Sequence, residues 1–165
     1  MNIQIRLIAQ KDNKEIEEVI IAVSKEYGTF APGYGSYDPE LKDLYSAYQG
    51  KGSKYWVIED PDMRKILGGG GYAKLKGTNN EEKICELRKL FFLPEARGKG
   101  FGKKLVEIIL EEALKDGYKE MYLESVKSMK EATHLYEKYG FNHLDKPIGN
   151  TGHKCSVFMH KSLNE

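Results

Sequence analysis

A central β-sheet flanked by helices, an α/β fold, is what the sequence predicts, and three observations predict it. Apolar positions sort into stretches of period two and stretches of helical period, in the order β-α-α-β-β-β-α-β-α-β-β along the chain. The period changes sharply near Gly102, where a strand-like run ends in a glycine-rich bend and an amphipathic helix begins. A chain of 165 residues is the size of one domain and can bury about 70% of its unfolded surface. Residues 1–165 therefore read as a single domain built on a mixed sheet of about seven strands with about four helices.

The elements follow in order. Alternation in Asn2-Ile3-Gln4-Ile5-Arg6-Leu7-Ile8 gives an opening strand. Asp12 stands at the cap position of a helix running toward Tyr27, with Ile16, Val19, Ile20 and Val23 on one stripe. Asp38-Pro39-Glu40 reads as an N-cap followed by proline at the first helical position, which predicts a short helix through Tyr45. Residues 54–59 and 66–76 form a hairpin around Pro61-Asp62, and Gly68 to Gly71 either weaken its second strand or let another backbone come close. A turn at Gly77-Thr78-Asn79-Asn80 leads to a fourth strand over about 83–93, stopped by Pro94.

From Gly102 the pattern is helical, with Leu105, Ile108, Ile109 and Ala113 on one face and Gly117 at the stop. Met121-Tyr122-Leu123-Glu124 supplies the strand that a β-α-β crossover requires. Ser128-Met129-Lys130-Glu131 reads as a capping box for a helix burying Ala132, Leu135 and Tyr139 and closed by Gly140. Residues 141–144 and 155–160 form a last strand pair around the loop Gly149-Asn150-Thr151-Gly152.

Composition narrows the function classes. With 26 basic and 25 acidic side chains there is no global field to attract nucleic acid or anionic lipid, so any partner is recognised locally. The longest aliphatic run, residues 19–23, is far short of the ~20 residues a bilayer needs, and no basic stretch followed by an apolar segment opens the chain. The sequence reads as a soluble cytoplasmic protein with no membrane partner. Cys85 and Cys155 have neither disulfide nor zinc spacing and read as two reduced thiols in strands; no metal is expected.

The segment that carries chemistry is Arg97-Gly98-Lys99-Gly100-Phe101-Gly102-Lys103-Lys104, because it joins a strand end to a helix start. A helix N-terminus leaves backbone N–H groups without intrahelical partners and carries partial positive charge, and glycines let a phosphate approach those donors. A pyrophosphate is the natural ligand. Spacing excludes the commoner glycine motifs. Gly98 and Gly102 are one residue too close for a Walker loop, and Lys103-Lys104 replaces its Lys-Ser or Lys-Thr. A G-x-G-x-x-G dinucleotide fingerprint needs glycine where Lys103 or Leu105 stands. Lys99-Gly100-Phe101-Gly102 copies the start of an RNA-binding strand, but Lys103-Lys104 then departs from it and a helix follows, so no nucleic-acid partner is assigned.

What fits is [Q/R]-x-x-G-x-[G/A], with Arg97, Gly100 and Gly102 in the fixed positions. This resembles the coenzyme-A loop of the GNAT superfamily of N-acetyltransferases. The resemblance extends through residues 85–96, the amphipathic helix, Met121-Tyr122-Leu123-Glu124 and residues 132–141, about a third of the chain. It implies a largely antiparallel, splayed sheet, acetyl-CoA as cofactor, and transfer of an acetyl group to a primary amine by direct attack in a ternary complex. The amine is carried by a small molecule or a peptide, and a homodimer is allowed. A non-catalytic acyl-CoA-binding or sensor domain on the same scaffold is the alternative.

The resemblance also implies site residues. The pantetheine arm would lie along Phe91, Phe92 and Leu93, with a free strand N–H facing the thioester carbonyl, and the phosphates along Arg97, Gly98, Lys99, Gly100, Phe101, Gly102 and Lys103. Tyr136 occupies the position of the phenol that protonates the departing sulfur, and its ordinary pKa near 10 suits that task; Leu135, Tyr136 and Tyr139 also make an ordinary helix stripe. Glu86, eleven residues before Arg97, matches the general base of the histone-type branch if strand parity turns it to the cleft, and is otherwise a strand glutamate paired with Arg88. Glu124 and His153 are lesser candidates. Met129 stands where many members carry an asparagine that touches the cofactor. Tyr27, Tyr34, Tyr37, Asp38, Glu40, Asp43 and Tyr45 either hold a cationic amine or pack as a loop and helix surface.

Overall fold

The computed structural model describes residues 2–164. Seven strands form one sheet: β1 (Gln4–Leu7), β2 (Lys54–Asp60), β3 (Lys65–Lys74), β4 (Ile84–Phe92), β5 (Glu120–Ser125), β6 (Asn142–Leu144) and β7 (Val157–Ser162). Their order is β1-β2-β3-β4-β5-β7-β6, and every neighbouring pair is antiparallel except β4–β5. The helices are α1 (Asn13–Glu26), α2 (Leu44–Ala47), α3 (Phe101–Lys115) and α4 (Lys130–Lys138). Parallel β4–β5 follows from the crossover through α3, which the switch of period at the bend dictates.

Both faces of the sheet are covered. On β2, Tyr55 and Val57 join α1 and α2 residues in one core, while Trp56 and Ile58 join α3 and α4 residues in the other. That is why a strand with period-two chemistry is buried along both faces. The four glycines of β3 are needed for close approach. A Cβ on Gly69 would sit 2.7 Å from the Trp56 carbonyl oxygen, and one on Gly70 2.5 Å from Leu90 Cδ1.

Several local expectations are corrected. Asp12 does not cap α1 with its side chain; both carboxylate oxygens pair with Arg6 (2.8 and 2.9 Å) and one also accepts from the Ala9 N–H. The Asp38 side chain caps nothing either, because it is drawn to two cations, and the chain after it runs as a 3-10 turn (Pro39–Asp43) before the single-turn α2. Ser128 forms no capping box: its hydroxyl donates to the Tyr27 carbonyl, and α4 starts at Lys130 behind Met129. Tyr136, not the Ala132–Leu135–Tyr139 stripe, is the buried residue of α4. Cys155 precedes β7 instead of lying in it, while Cys85 is in β4 as expected.

Candidate active site

β4 and β5 pair only at Ile84–Glu120, Cys85–Met121 and Glu86–Tyr122, then separate. A β-bulge in β4 coincides with the parting: Gly69 faces Phe91 and Gly71 faces Arg88, so Lys89 and Leu90 oppose Gly70 alone. Lys89 adopts a left-handed backbone (φ 51), which costs a non-glycine residue about 1–2 kcal/mol. Its surroundings hold it there. The Lys89 ammonium is 4% exposed and lies 2.8 Å from both Asp38 and Glu40, while its carbonyl accepts from the Tyr55 hydroxyl at 2.7 Å.

Inside the resulting gap, the Phe92 carbonyl accepts two hydrogen bonds from Arg97 (3.0 and 2.8 Å). A strand residue points its N–H and C=O to the same side, so the Phe92 N–H also faces the gap. Leu93 is different. Its N–H is spent on the Leu67 carbonyl at 2.8 Å, which corrects the expectation of a free donor anywhere along residues 91–93 to Phe92 and its alternates.

Beyond the gap comes the bend. Gly98 and Gly100 have positive φ (73 and 84), and an added Cβ at either would meet nothing within 4 Å. The first helical hydrogen bond of α3 is Lys104 N–H to Gly100, and no N–H of residues 98–103 has a partner among the described residues. Five of these six residues, Gly98, Gly100, Phe101, Gly102 and Lys103, line one cavity of about 250 Å³, whose other walls include Phe91, Phe92, Arg97 and Leu135. Such a concentration of unpaired donors at a helix start has the chemistry that suits an anion. Arg97 holds it from behind: besides the Phe92 carbonyl it takes both oxygens of Glu26 (2.6 and 2.7 Å) and covers the Tyr27 ring. Lys99 donates to the Glu95 carbonyl, leaving the Lys103 ammonium without an ion pair among the described residues.

A second cavity of about 110 Å³ adjoins the first, sharing Leu90, Phe91 and Met129 as walls. Glu86, Glu124, His153 and Tyr136 line it. Glu86 thus satisfies both readings at once, facing the cavity and pairing with Arg88 Nε at 2.8 Å. Burial raises its carboxyl pKa; Arg88 opposes the shift and Glu124 adds to it. Glu124 accepts from the Tyr122 and Thr151 hydroxyls, both at 2.6 Å. His153 Nε2 lies 2.9 Å from Asp38 and Nδ1 4.0 Å from Glu124. The hydrogen bond to Asp38 raises the His153 pKa. Desolvation works to raise Asp38, but its bond to His153 and the Lys89 charge bring it down to about 2. Tyr136 is 5% exposed, its hydroxyl bonds to nothing among the described residues, and burial lifts its pKa well above the usual value.

The aromatic and acidic stretch divides. Tyr34, Asp38 and Glu40 line the second cavity and Tyr27 the first, whereas Asp43 caps α2 and Tyr37 packs on Phe30. His134 and His143 touch neither cavity. Sequence reading missed Lys89 and its bulge. The left-handed turn sits at a lysine, so no glycine advertised it.

The family model for the acetyltransferase (GNAT) family matches residues 16–141. The chain belongs to the GNAT family. An uncharacterised N-acetyltransferase of Escherichia coli K12, YjgM, is 45% identical over 96% of this GNAT chain and 93% of its own length. The IAA acetyltransferase of Azospirillum brasilense is 31% identical over 76% of this chain and 85% of its own. Among solved folds, a GNAT-family acetyltransferase from Staphylococcus aureus Mu50 superposes with TM-score 0.83 at 21% identity, covering 98% of this chain and 99% of that one. A GNAT-superfamily phosphinothricin acetyltransferase from Sinorhizobium meliloti, solved with acetyl-CoA, gives 0.75 at 20% identity over 98% and 89%. This GNAT is therefore an acyltransferase that moves an acetyl group to an acceptor. No helix among its described residues is long and apolar enough to cross a membrane.

Proposed function

We propose that the protein transfers an acetyl group from acetyl-CoA to a primary amine by direct attack in a ternary complex. The observation that carries this reading is the meeting of two cavities at the parted strands β4 and β5, one walled by unpaired N–H groups of the bend and the other by a set that includes Glu86, Glu124 and the Tyr136 phenol. The bend fits the cofactor on its own chemistry: donors without partners suit the pyrophosphate, and the open space over Gly98 and Gly100 admits it. In this reading residues 98–103 hold the phosphates, Phe91 and Phe92 border the pantetheine arm, and Arg97 fixes the bend through Phe92 and Glu26. Bound acetyl-CoA supplies an activated thioester.

The chain's own groups do the rest. An alkylammonium has a pKa near 10 and must lose a proton before it attacks. Glu86, raised in pKa by burial and paired with Arg88, accepts that proton directly or through water. Glu124, which no permanent cation pairs among the described residues, favours the cation's approach. The Phe92 N–H is the donor placed for the carbonyl oxygen, and Tyr136 holds the proton that the departing sulfur requires. Tyr136 lies in water-poor surroundings, where a fixed dipole acts more strongly than in solvent. The test is thiol release from acetyl-CoA with a broad panel of primary amines, with acetylation of the amine read by mass. Acetyl-CoA binding without thiol release from any acceptor would overturn the reading and favour a non-catalytic sensor.

A further inference from the structure

The acceptor cavity is bounded by two loops from opposite ends of the sequence, and they are joined to each other. The first loop, residues 27–43, is anchored to β4, where Asp38 and Glu40 take the buried Lys89 ammonium. The second, residues 145–156, is anchored at three points: the Asn150 N–H donates to the Lys76 carbonyl at 2.7 Å, Thr151 donates to Glu124 of β5 at 2.6 Å, and the Ser156 N–H donates to the Ser125 carbonyl at 3.2 Å. Two links then cross between the loops. The Lys154 N–H donates to the Gly33 carbonyl at 2.8 Å, and His153 meets Asp38 at 2.9 Å.

These contacts make a closed circuit. It runs from Lys89 of β4 to Asp38, across to His153, along the loop to Thr151, down to Glu124 of β5, and back through the Glu86–Tyr122 pairing. The joint at Gly33 is also sterically full: its φ is +95, and a Cβ there would sit 2.7 Å from the Lys154 side chain. An internal lysine reaches an active site with polypeptide leaving on both sides of it, and so needs a trough open at both ends. Loops stitched across the acceptor side close that trough. Of the carboxylates lining the cavity, Asp38 and Glu40 are paired with Lys89 and Glu86 with Arg88, whereas Glu124 is bonded only by hydroxyls, has no permanent cation within ion-pair distance among the described residues, and is the group left to meet a cationic amine.

We infer that the acceptor is a free low-molecular-weight amine and not a lysine or N-terminus presented on a polypeptide. The inference rests on the cavity being the acceptor site of the proposed transferase. It assigns the Gly33–Lys154 and Asp38–His153 bridges the role of selecting against peptides.

The test uses the full chain with acetyl-CoA, a set of free amines (an n-alkylamine, an α,ω-diamine, an amino acid) and decapeptides with a free N-terminus or one internal lysine. The best free amine is expected to exceed the best peptide in kcat/KM by about a hundredfold. Peptides acetylated as well as the free amines would overturn the inference while leaving the acetyltransferase reading intact. Should no acceptor release thiol, that reading fails, and equilibrium binding of the same panel to the protein–CoA complex decides the inference separately: preferential peptide binding overturns it. Gly33→Val and, from the other loop, Lys154→Pro open the joint. Each is expected to narrow the amine-to-peptide ratio by about tenfold, with the acetyl-CoA Kd confirming that the variant is folded. An unchanged ratio in both variants would overturn the role assigned to the bridge.

Discussion

The two halves of the site are built from different materials. The cofactor side is mostly main chain from one continuous segment: six N–H donors between Gly98 and Lys103, fixed by where β4 stops and α3 starts. The acceptor side is mostly side chains gathered from four places: Asp38 and Glu40, Glu86 and Arg88, Glu124, and His153. Backbone donors are indifferent to most substitutions provided the bend keeps its shape. A network of buried charges changes with any one member, since each ion depends on its partners for compensation. One half is therefore tolerant of substitution, and the other is sensitive to it.

That contrast can be broken in several places. The largest effect is expected from Tyr136→Phe, which keeps the ring against Phe141 and removes the proton: kcat should fall by about 10²–10³, with acetyl-CoA affinity unchanged by calorimetry. Glu86→Gln should lower kcat/KM at neutral pH by about 10². Its signature is in the pH profile. The Glu86 pKa is raised by burial, so wild-type activity falls as pH drops through that raised value, and the glutamine variant should lack this acid limb. On the cofactor side, Gly100→Val forces a branched residue into left-handed backbone at a cost of about 1–2 kcal/mol and should weaken acetyl-CoA binding by about tenfold, with the acceptor KM little changed.

The smallest effect sharpens the acceptor side by its linkage to pH. Asp38 is depressed to about 2 by His153 and Lys89, so its share of stability is present above its ordinary pKa of 3.8 and disappears as pH falls toward 2. His153 is raised above 6.5 by Asp38, so its share is complete below 6.5 and disappears as pH climbs through the raised value. In thermal melts, wild type should exceed His153→Gln most between these limits and the two should converge at alkaline pH. A constant difference across that range would show that the pair contributes no charge-dependent stability.

Legibility followed the same division. The bend could be read because glycine, arginine and a change of period lie within a few consecutive residues, and the spacing of Arg97, Gly100 and Gly102 is a local property. Tyr136 was readable for the same reason, on a helix whose following Gly140-Phe141 marks its register. Glu86 was readable only as a choice, since strand parity and the position of the bulge decide which way it points. Asp38 was read correctly in position, at the N-cap of a turn that opens with Pro39, and wrongly in the use of its side chain. Asp-Pro-Glu is a sound capping signal, but the lysine and histidine that claim the carboxylate lie 51 and 115 residues away. Local preference worth about 1 kcal/mol loses to two charge-assisted bonds in a desolvated site.

By itself, then, the sequence determined the element order, the parallel crossover through α3 and the anion-binding bend, because each is encoded by neighbours along the chain. Tertiary structure alone decided where β4 parts from β5, which carboxylates face one another and which loops close on the acceptor. Those features depend on a left-handed lysine, a run of glycines in the adjacent strand and ion pairs between distant segments. Such contacts take their energy from burial and mutual proximity, and neither exists until the chain has folded.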